Sequence, residues 1–333
     1  MKTMLSEIQT WEKEGVVRVP MPMAPPLRRV NSYVLRGPEG ITIIDPGPRT
    51  AETEREWPLA LRQLDIAAGD VAQIVVTHHH PDHYGLAGYL QSITGAAVRM
   101  SRRAYEETRL MWGKNSVMNE ELPRLFRRHG MPPVWNDQLL PHLQSFFPQV
   151  TPAPEVDFIQ EGEAVMMGGR YWLPVESAGH APGHLSFYDQ ERQLMFCGDA
   201  VLPQISPNIS CLPGSDPQPL QSFLTSLERF GSYEVQIAFP GHRHPFEHFG
   251  ERVRMLLGHH EERLARIEGL LRQRPHTGFA VCAALFGTDL GIHQMRFAMA
   301  ETLAHLVELV RRGRAEERRT SGGAAVEFHL TVR

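Results

Sequence analysis

The stretch Gln73-Ile74-Val75-Val76-Thr77-His78-His79-His80-Pro81-Asp82-His83 decides how this chain reads. It opens on an apolar, β-branched run that spells a buried strand. It closes on Pro81-Asp82, a proline and an acid at positions that start a helix. A strand end, a tight loop and a helix start let neighbouring side chains converge on one point. His78 and His80 can face one metal ion; Asp82 and His83, beyond the turn made by Pro81, can face a second. So many imidazoles beside an aspartate would cost stability near an apolar sheet unless a cation compensated them.

Around this segment the pattern alternates. Short β-rich runs (VVRV, NSYVL, ITIID, AAVRM) flank it between residues 16 and 100. A helix is expected over 51–64, with Trp57, Leu61 and Leu64 at helical spacing. Another is expected over 82–94, with Leu86, Leu90 and Ile93 on one face. Strands alternating with helices imply layered α/β packing. Residues from about 101 to 157 lose the β signal and read as a helical insertion. Strand signals return over 163–200 (AVMMGG, YWLPVES, HLSFYD, QLMFCGD), followed by a Pro-rich loop, a helix at 219–230 and the strand VQIAF. Beyond Gly250 the chain turns strongly helical and ends in a charged hairpin around Gly322-Gly323. This divides the chain into residues 1–257, carrying the histidine run, and residues 258–333, three helices and a hairpin that spell a winged-helix-like module.

Bulk properties exclude several classes. A length of 333 residues with 42% hydrophobic content supports two domains. Thirty-four Lys and Arg against 38 Asp and Glu leave a net charge of −4, so no global positive field draws nucleic acid or an anionic membrane. Three scattered cysteines, Cys197, Cys211 and Cys282, form no disulfide framework. Glu7, Glu12, Lys13 and Glu14 interrupt any signal-peptide core, and no apolar run reaches the roughly 20 residues of a membrane span. The expectation is a cytoplasmic protein without a membrane partner.

Three further motifs each end a predicted strand: Gly179-His180-Ala181-Pro182-Gly183-His184, Phe196-Cys197-Gly198-Asp199-Ala200, and Phe239-Pro240-Gly241-His242. Singly each is weak, since an aspartate after a strand is commonly a cap and PGH commonly a turn. In this order, after Ile43-Ile44-Asp45-Pro46-Gly47 and the histidine run, they carry specific information.

The set H-x-H-x-D-H, GH, GD and PGH, preceded by IIDPG, resembles the metallo-β-lactamase superfamily over about residues 16–250. The glyoxalase II-like and thioesterase-like members are the nearer comparison. The resemblance implies an α/β fold, an αββα sandwich with the helical insertion and the winged-helix-like tail as additions. It implies one metal held by His78, His80 and His180, a second held by Asp82, His83 and His242, and Asp199 bridging both. Asp45 and His184 would support the ligands from behind. The usual Asp-Thr-Gly is here Asp45-Pro46-Gly47, and Ser177-Ala178 replaces the usual Thr-Pro; neither removes a ligand. A bridging aspartate in place of a cysteine groups the chain with thioester hydrolases, lactonases, phosphodiesterases and related oxygenases, while Cys197 is expected to pack in the core.

The implied chemistry is hydrolysis by a metal-bridging hydroxide, with two divalent ions about 3.5–4 Å apart and Asp82 as the catalytic group that orients it or shuttles its proton. Zinc is the default, iron and manganese the alternatives. A small molecule carrying a thioester or related acyl bond is the leading substrate class. A phosphodiesterase or endoribonuclease, a lactonase, and a low-turnover metal-binding protein are the competing readings. Tyr105, Met111, Trp112, Met118, Trp135 and Phe146 of the insertion are read mainly as its own core, with an acyl pocket as the alternative. Arg124, Arg127 and Arg128 could receive a phosphate-bearing carrier or form a solvated face. Arg311, Arg312, Arg314, Arg318 and Arg319 form a basic patch near the wing, read as structural or dimer-forming in preference to an RNA contact.

Overall fold

A computed structural model describes residues 7–113, 115–319 and 325–331. The short β-rich runs pair into two sheets. Strands β1 (Gln9–Trp11), β2 (Val16–Pro22), β3 (Arg29–Gly37), β4 (Gly40–Ile44), β5 (Val71–Val75), β6 (Ala97–Ser101) and β7 (Val156–Ile159) form a seven-stranded sheet in sequence order, antiparallel as far as β4 and parallel from there on. Strands β8 (Val165–Met167), β9 (Arg170–Ser177), β10 (His184–Asp189), β11 (Leu194–Gly198) and β12 (Ile237–Pro240) form a second sheet in the reverse order, with β11 and β12 parallel.

The sheets face each other across a core of Tyr33, Leu35, Ile44 and Val75 from the first and Trp172, Leu185, Phe187, Phe196 and Phe239 from the second. Each such side chain withdrawn from water stabilises the fold by about 1.5–3 kcal/mol. A larger apolar cluster lies between the sheets' outer faces and the helices. Among these, α1 (Ala51–Gln63) starts at a capping box made by Thr50 and Thr53. Its Trp57 donates from Nε1 to the Pro46 carbonyl at 2.7 Å, which pins the Asp45-Pro46-Gly47 turn to the helix.

The expected helix over 82–94 is two helices, α2 (Pro81–Tyr84) and α3 (Ala87–Thr94). They meet at Gly85, where a Cβ would run into the Gln149 and Pro81 carbonyls. Leu86 and Leu90 are buried, but Ile93 faces solvent. The insertion holds α4 (Arg102–Trp112), α5 (Met118–Arg128), α6 (Pro133–Asn136) and α7 (Leu139–Gln144). It ends earlier than its expected limit near 157, because Val156–Ile159 returns as β7, parallel to β6. Four residues just after Pro152 and Pro154 are too few to display a period.

Helix α8 (Pro219–Phe230) precedes β12. The tail comprises α9 (Phe249–Gln273), β13 (His276–Thr277), α10 (Gly278–Phe286), α11 (Ile292–Arg311), β14 (Ala315–Arg319) and β15 (Val326–Leu330), its strands ordered β13-β15-β14. The expected boundary at 257/258 falls within α9, and the Gly322-Gly323 turn lies outside the described residues. Helix α11 is apolar nearly all round because it is covered by α7, α8, α9, α10 and β14. Glutamates engage four arginines of the expected basic patch, with none on Arg319 among the described residues: Arg311 and Arg312 pair with Glu308, Arg314 with Glu268 and Arg318 with Glu316. Among the described residues, no helix is long and apolar enough to cross a membrane.

Candidate metal centre

All four motifs sit where strands end. The histidine run follows β5, Gly179-His180 follows β9, Gly198-Asp199 ends β11, and Gly241-His242 follows β12. The sandwich therefore delivers side chains from distant stretches to one edge. Three groups of ligand atoms, each group within 4.8 Å, result: His78, His80 and His180; His78, His83 and Asp199; Asp82, His83 and His242. Asp199 lies between them, with Oδ1 3.5 Å from His83 Nε2, and Oδ2 3.7 Å from His180 Nε2 and 3.4 Å from His242 Nε2. His242 Nε2 is also 3.2 Å from Asp82 Oδ2.

These separations allow a physical test of whether a cation fits. Nitrogen and oxygen ligands about 2.0–2.1 Å from a tetrahedral ion are about 3.3 Å from one another. His78 Nε2 and His80 Nδ1, at 3.0 Å, and the Asp199 contacts above bracket that edge length. Meanwhile Nε2 of His83, His180 and His242 and Oδ1 of Asp199 are buried without any hydrogen-bond partner. Buried polar atoms left unmatched in one place are costly, and a shared cation is what this donor set would satisfy.

Protonation follows the same logic. Burial, reinforced by neighbouring imidazoles, holds His78 and His80 well below the ordinary histidine range, leaving them neutral, the form that can ligate a cation. Burial opposes charging His242, but the Asp199 and Asp82 carboxylates outweigh it and hold its pKa up at about 10. For Asp199, burial favours the acid form, yet His242 and His83 keep it ionised. Without a cation, the centre depends on imidazolium charge to offset its carboxylates.

The opposite nitrogens of His83, His180 and His242 are anchored. Asp45, at φ +51°, accepts from Thr77 N and Thr77 Oγ1 at 2.7 Å each, and its Oδ2 lies 2.8 Å from His83 Nδ1. His180 Nδ1 meets the Asn208 carbonyl and His242 Nδ1 the Arg29 carbonyl, both at 2.8 Å. His184 stays outside the three groups: its Nε2 accepts from Asp199 N at 3.1 Å, so it holds the aspartate's backbone. The glycines of the motifs are required by crowding. A Cβ on Gly241 would strike Asp199 Oδ1 and the His83 ring, and one on Gly198, at φ +45°, would strike His184. His79 is in none of the three groups; its ring packs 4.7 Å from that of His80, and its carbonyl accepts from Trp112 Nε1 at 2.9 Å. Cys197 packs in the core as expected, its Sγ donating to the Val201 carbonyl.

Several supports had no sequence signal. Asn208 acts through its main-chain carbonyl, while its side chain donates to Glu301 Oε2 at 2.7 Å, and Glu301 pairs with Arg263. Asn31 and Tyr33 of β3 both donate to the Pro240 carbonyl and so hold the loop that carries His242. Only the turn residues Pro207-Asn208 hinted at a shaped loop.

Comparison with known proteins agrees with this geometry. The profile of the Metallo-beta-lactamase superfamily matches residues 25–242, and that of the Metallo-beta-lactamase-like, C-terminal domain matches residues 264–328. The chain is 27% identical over 304 residues to the probable metallo-hydrolase YqjP of Bacillus subtilis, covering 89% of this chain and 92% of that protein. It is 29% identical to the hydroxyacylglutathione hydrolase GloC of Haemophilus influenzae, over 48% of this chain and 60% of that protein. A crystal structure of a metallo-β-lactamase family protein from Thermus thermophilus superposes with a TM-score of 0.84 at 30% identity, covering 96% of this chain and 99% of that one. With the profile matching most of its length, this chain belongs to the metallo-β-lactamase superfamily.

Proposed function

We propose that this protein is a dinuclear metal-dependent hydrolase that cleaves a thioester or related acyl bond of a small molecule. The observation that carries the reading is Asp199, whose two carboxylate oxygens face histidines of different ligand groups and so can bridge two ions. His78, His80 and His180 would hold one ion, and Asp82, His83 and His242 the other. Imidazole and carboxylate without thiolate suit zinc first, with iron and manganese as alternatives.

When bound, such ions supply Lewis acidity, polarising the scissile carbonyl and lowering the pKa of water. The remaining tasks fall to the protein. Asp82, its carboxylate beside His83 and His242, would orient the attacking water and receive its proton. Asp45 and the Asn208 and Arg29 carbonyls hold the imidazoles in one tautomer, so the free nitrogen points inward. The preference for an acyl substrate is supported by the Haemophilus influenzae relative, which is named for hydrolysis of hydroxyacylglutathione, an acyl group carried on a thiol. Phosphodiester cleavage has weaker support, because Arg311, Arg312, Arg314 and Arg318 are engaged by glutamates.

Assay of the metal-loaded protein against acyl-CoA, acylglutathione and lactone panels tests the proposal. Thioester hydrolysis that disappears in His80→Ala is the expected result. Inactivity on all three panels, with single-stranded RNA cleaved instead, would transfer the centre to the phosphodiesterase reading.

A further inference from the structure

The wall beside the metal centre carries a charge that the fold does not neutralise. Arg296 of α11 is 4% exposed, its Nε has no hydrogen-bond partner, and no carboxylate pairs with it among the described residues. Its guanidinium carbon lies 4.1 Å over the Phe297 ring and 5.6 Å from that of Phe146. Phe146 and His293 each pack against His142, at ring separations of 5.0 and 5.4 Å, and His142 Nε2 is likewise buried without a partner.

This cluster adjoins the catalytic edge on two sides. Phe146 packs 5.2 Å from Trp112, which donates to the His79 carbonyl within the histidine run. Phe297, next to Arg296, accepts through its carbonyl from Asn208, at 3.4 Å, and Asn208 anchors His180. The Asp82 carboxylate is also near enough to act on the His293 imidazole.

Burial alone pulls the pKa of Arg296 down to about 10, so it is cationic at neutral pH. Burial, and then the charge of Arg296, bring His142 and His293 to about 4, so both are neutral. One buried guanidinium therefore stands on an aromatic bed with unused donors and no internal anion. Proteins rarely bury a charge without a partner unless a ligand supplies it.

We propose that Arg296, assisted by His142 and His293, binds an anionic oxygen group, a carboxylate or a phosphate, of the molecule whose acyl bond is hydrolysed at the neighbouring centre. This rests on the acyl-hydrolase reading for what the anion belongs to, but not for the existence of the anion site. A guanidinium fork suits either oxyanion, and the tail region thereby becomes part of the substrate site.

The test is thermal unfolding of the metal-loaded protein titrated with succinate and, separately, with inorganic phosphate, in the wild type, Arg296→Met and Arg296→Lys. The wild type is expected to gain stability with one of the two anions, which identifies the group. In Arg296→Met the apparent affinity should fall at least about tenfold, with part retained in Arg296→Lys. The Met variant retains every proposed metal ligand, so an anion resting on the ions would bind it equally well, and that result would overturn the proposal. A purely structural guanidinium would give a Met variant of lower Tm with its anion response intact, which also overturns it. Should Arg296→Met not fold, the wild-type titrations and Arg296→Lys still decide, since a wild type indifferent to both anions sinks the inference.

Kinetics with the N-acetylcysteamine thioesters of succinate and butyrate separate the two readings. Arg296→Met should raise KM for the succinyl compound at least fivefold if a carboxylate is the ligand, and leave the butyryl compound unchanged. If neither thioester turns over while anion binding still depends on Arg296, the acyl-hydrolase reading falls and the anion site stands.

Discussion

Two groups of buried histidines in this protein look alike in composition and differ in what surrounds them. At the strand ends, imidazoles from residues 78 to 242 face the carboxylates of Asp82 and Asp199, and several ligand nitrogens have no partner. Between α9 and α11, His260 Nδ1 and His305 Nε2 meet each other at 3.1 Å, and His305 Nδ1 meets the Glu301 carbonyl at 2.8 Å. His260 Nε2 is also without a partner, but among the described residues no carboxylate faces this second pair closely enough to count as an ion pair, and both imidazoles are held neutral by burial. What marks a metal centre is thus unmatched lone pairs converging with anions, a condition that histidine density alone does not meet.

Deleting the carboxylate proposed to bridge the two ions should break the comparison most severely. Asp199→Ala is expected to abolish stable binding of two ions, as measured by elemental analysis of the purified protein, and to lower hydrolysis by at least about 10³-fold. His305→Leu should leave the metal content unchanged. Equal metal loss in both variants would mean that the pair in the tail is a ligand site too.

A smaller effect is expected one layer further out. Asp45→Asn keeps the shape of the turn but removes the charge that holds Thr77 and His83. Metal affinity, read by competition with a chromophoric chelator, should fall about 10–100-fold. An unchanged affinity would reduce Asp45 to a turn-former, held at positive φ for backbone reasons only.

The contrast also shows what can be read in a sequence. The candidate strand-end ligands, which the fold brings together, were legible because each motif combines a chemically committed residue with a local punctuation mark, such as Pro81 before Asp82 or Gly241 before His242. The two sheets were legible through short β-branched runs bounded by turns, except β1, only three residues long, and β7, whose four residues follow two prolines. Asn208 and Arg29 were not legible, since a carbonyl contact leaves no trace in residue type. Nor was Arg296, because one arginine in an apolar helix reads as an exception until its neighbours are in place. The basic patch shows the converse: Arg311, Arg312, Arg314 and Arg318 are clustered in sequence, but their glutamate partners include residues of α9 some fifty positions away, such as Glu268 and Glu261.

Acidification sharpens the comparison through the second group. Burial lowers His260 to about 2 and His305 to about 3, against 6.5 for the ordinary side chain. A lowered folded-state pKa means that only the unfolded chain takes up these protons as pH falls below about 6.5, so the contribution is present above that value and lost progressively toward pH 3. Between pH 7.5 and 5.5 the wild type should lose on the order of 2 kcal/mol more stability than His260→Leu/His305→Leu. Urea unfolding of metal-free protein at the two values checks this, because histidines at the strand ends contribute equally to both proteins. Parallel losses would show that the pair is charged or solvated in the folded state.

The smallest effect should arise where the two groups are linked. Glu301 supplies the carbonyl that receives His305, while its side chain receives Asn208, whose own carbonyl holds His180. Glu301→Gln keeps an acceptor for Asn208 but loses the charge-assisted bond and the pairing with Arg263. Because the perturbation reaches His180 through an intervening residue, the affinity for the ion it would hold should fall only about threefold, less than for a partner in direct contact. Cobalt-substituted protein gives the readout, through a shift in absorption bands that report the ligand field at His180. A shift in Glu301→Gln with none in His305→Leu would show that the Glu301 side chain, and not the neighbouring imidazole pair, connects the tail to the metal centre; identical spectra in both would leave Asn208 fixed by its loop alone.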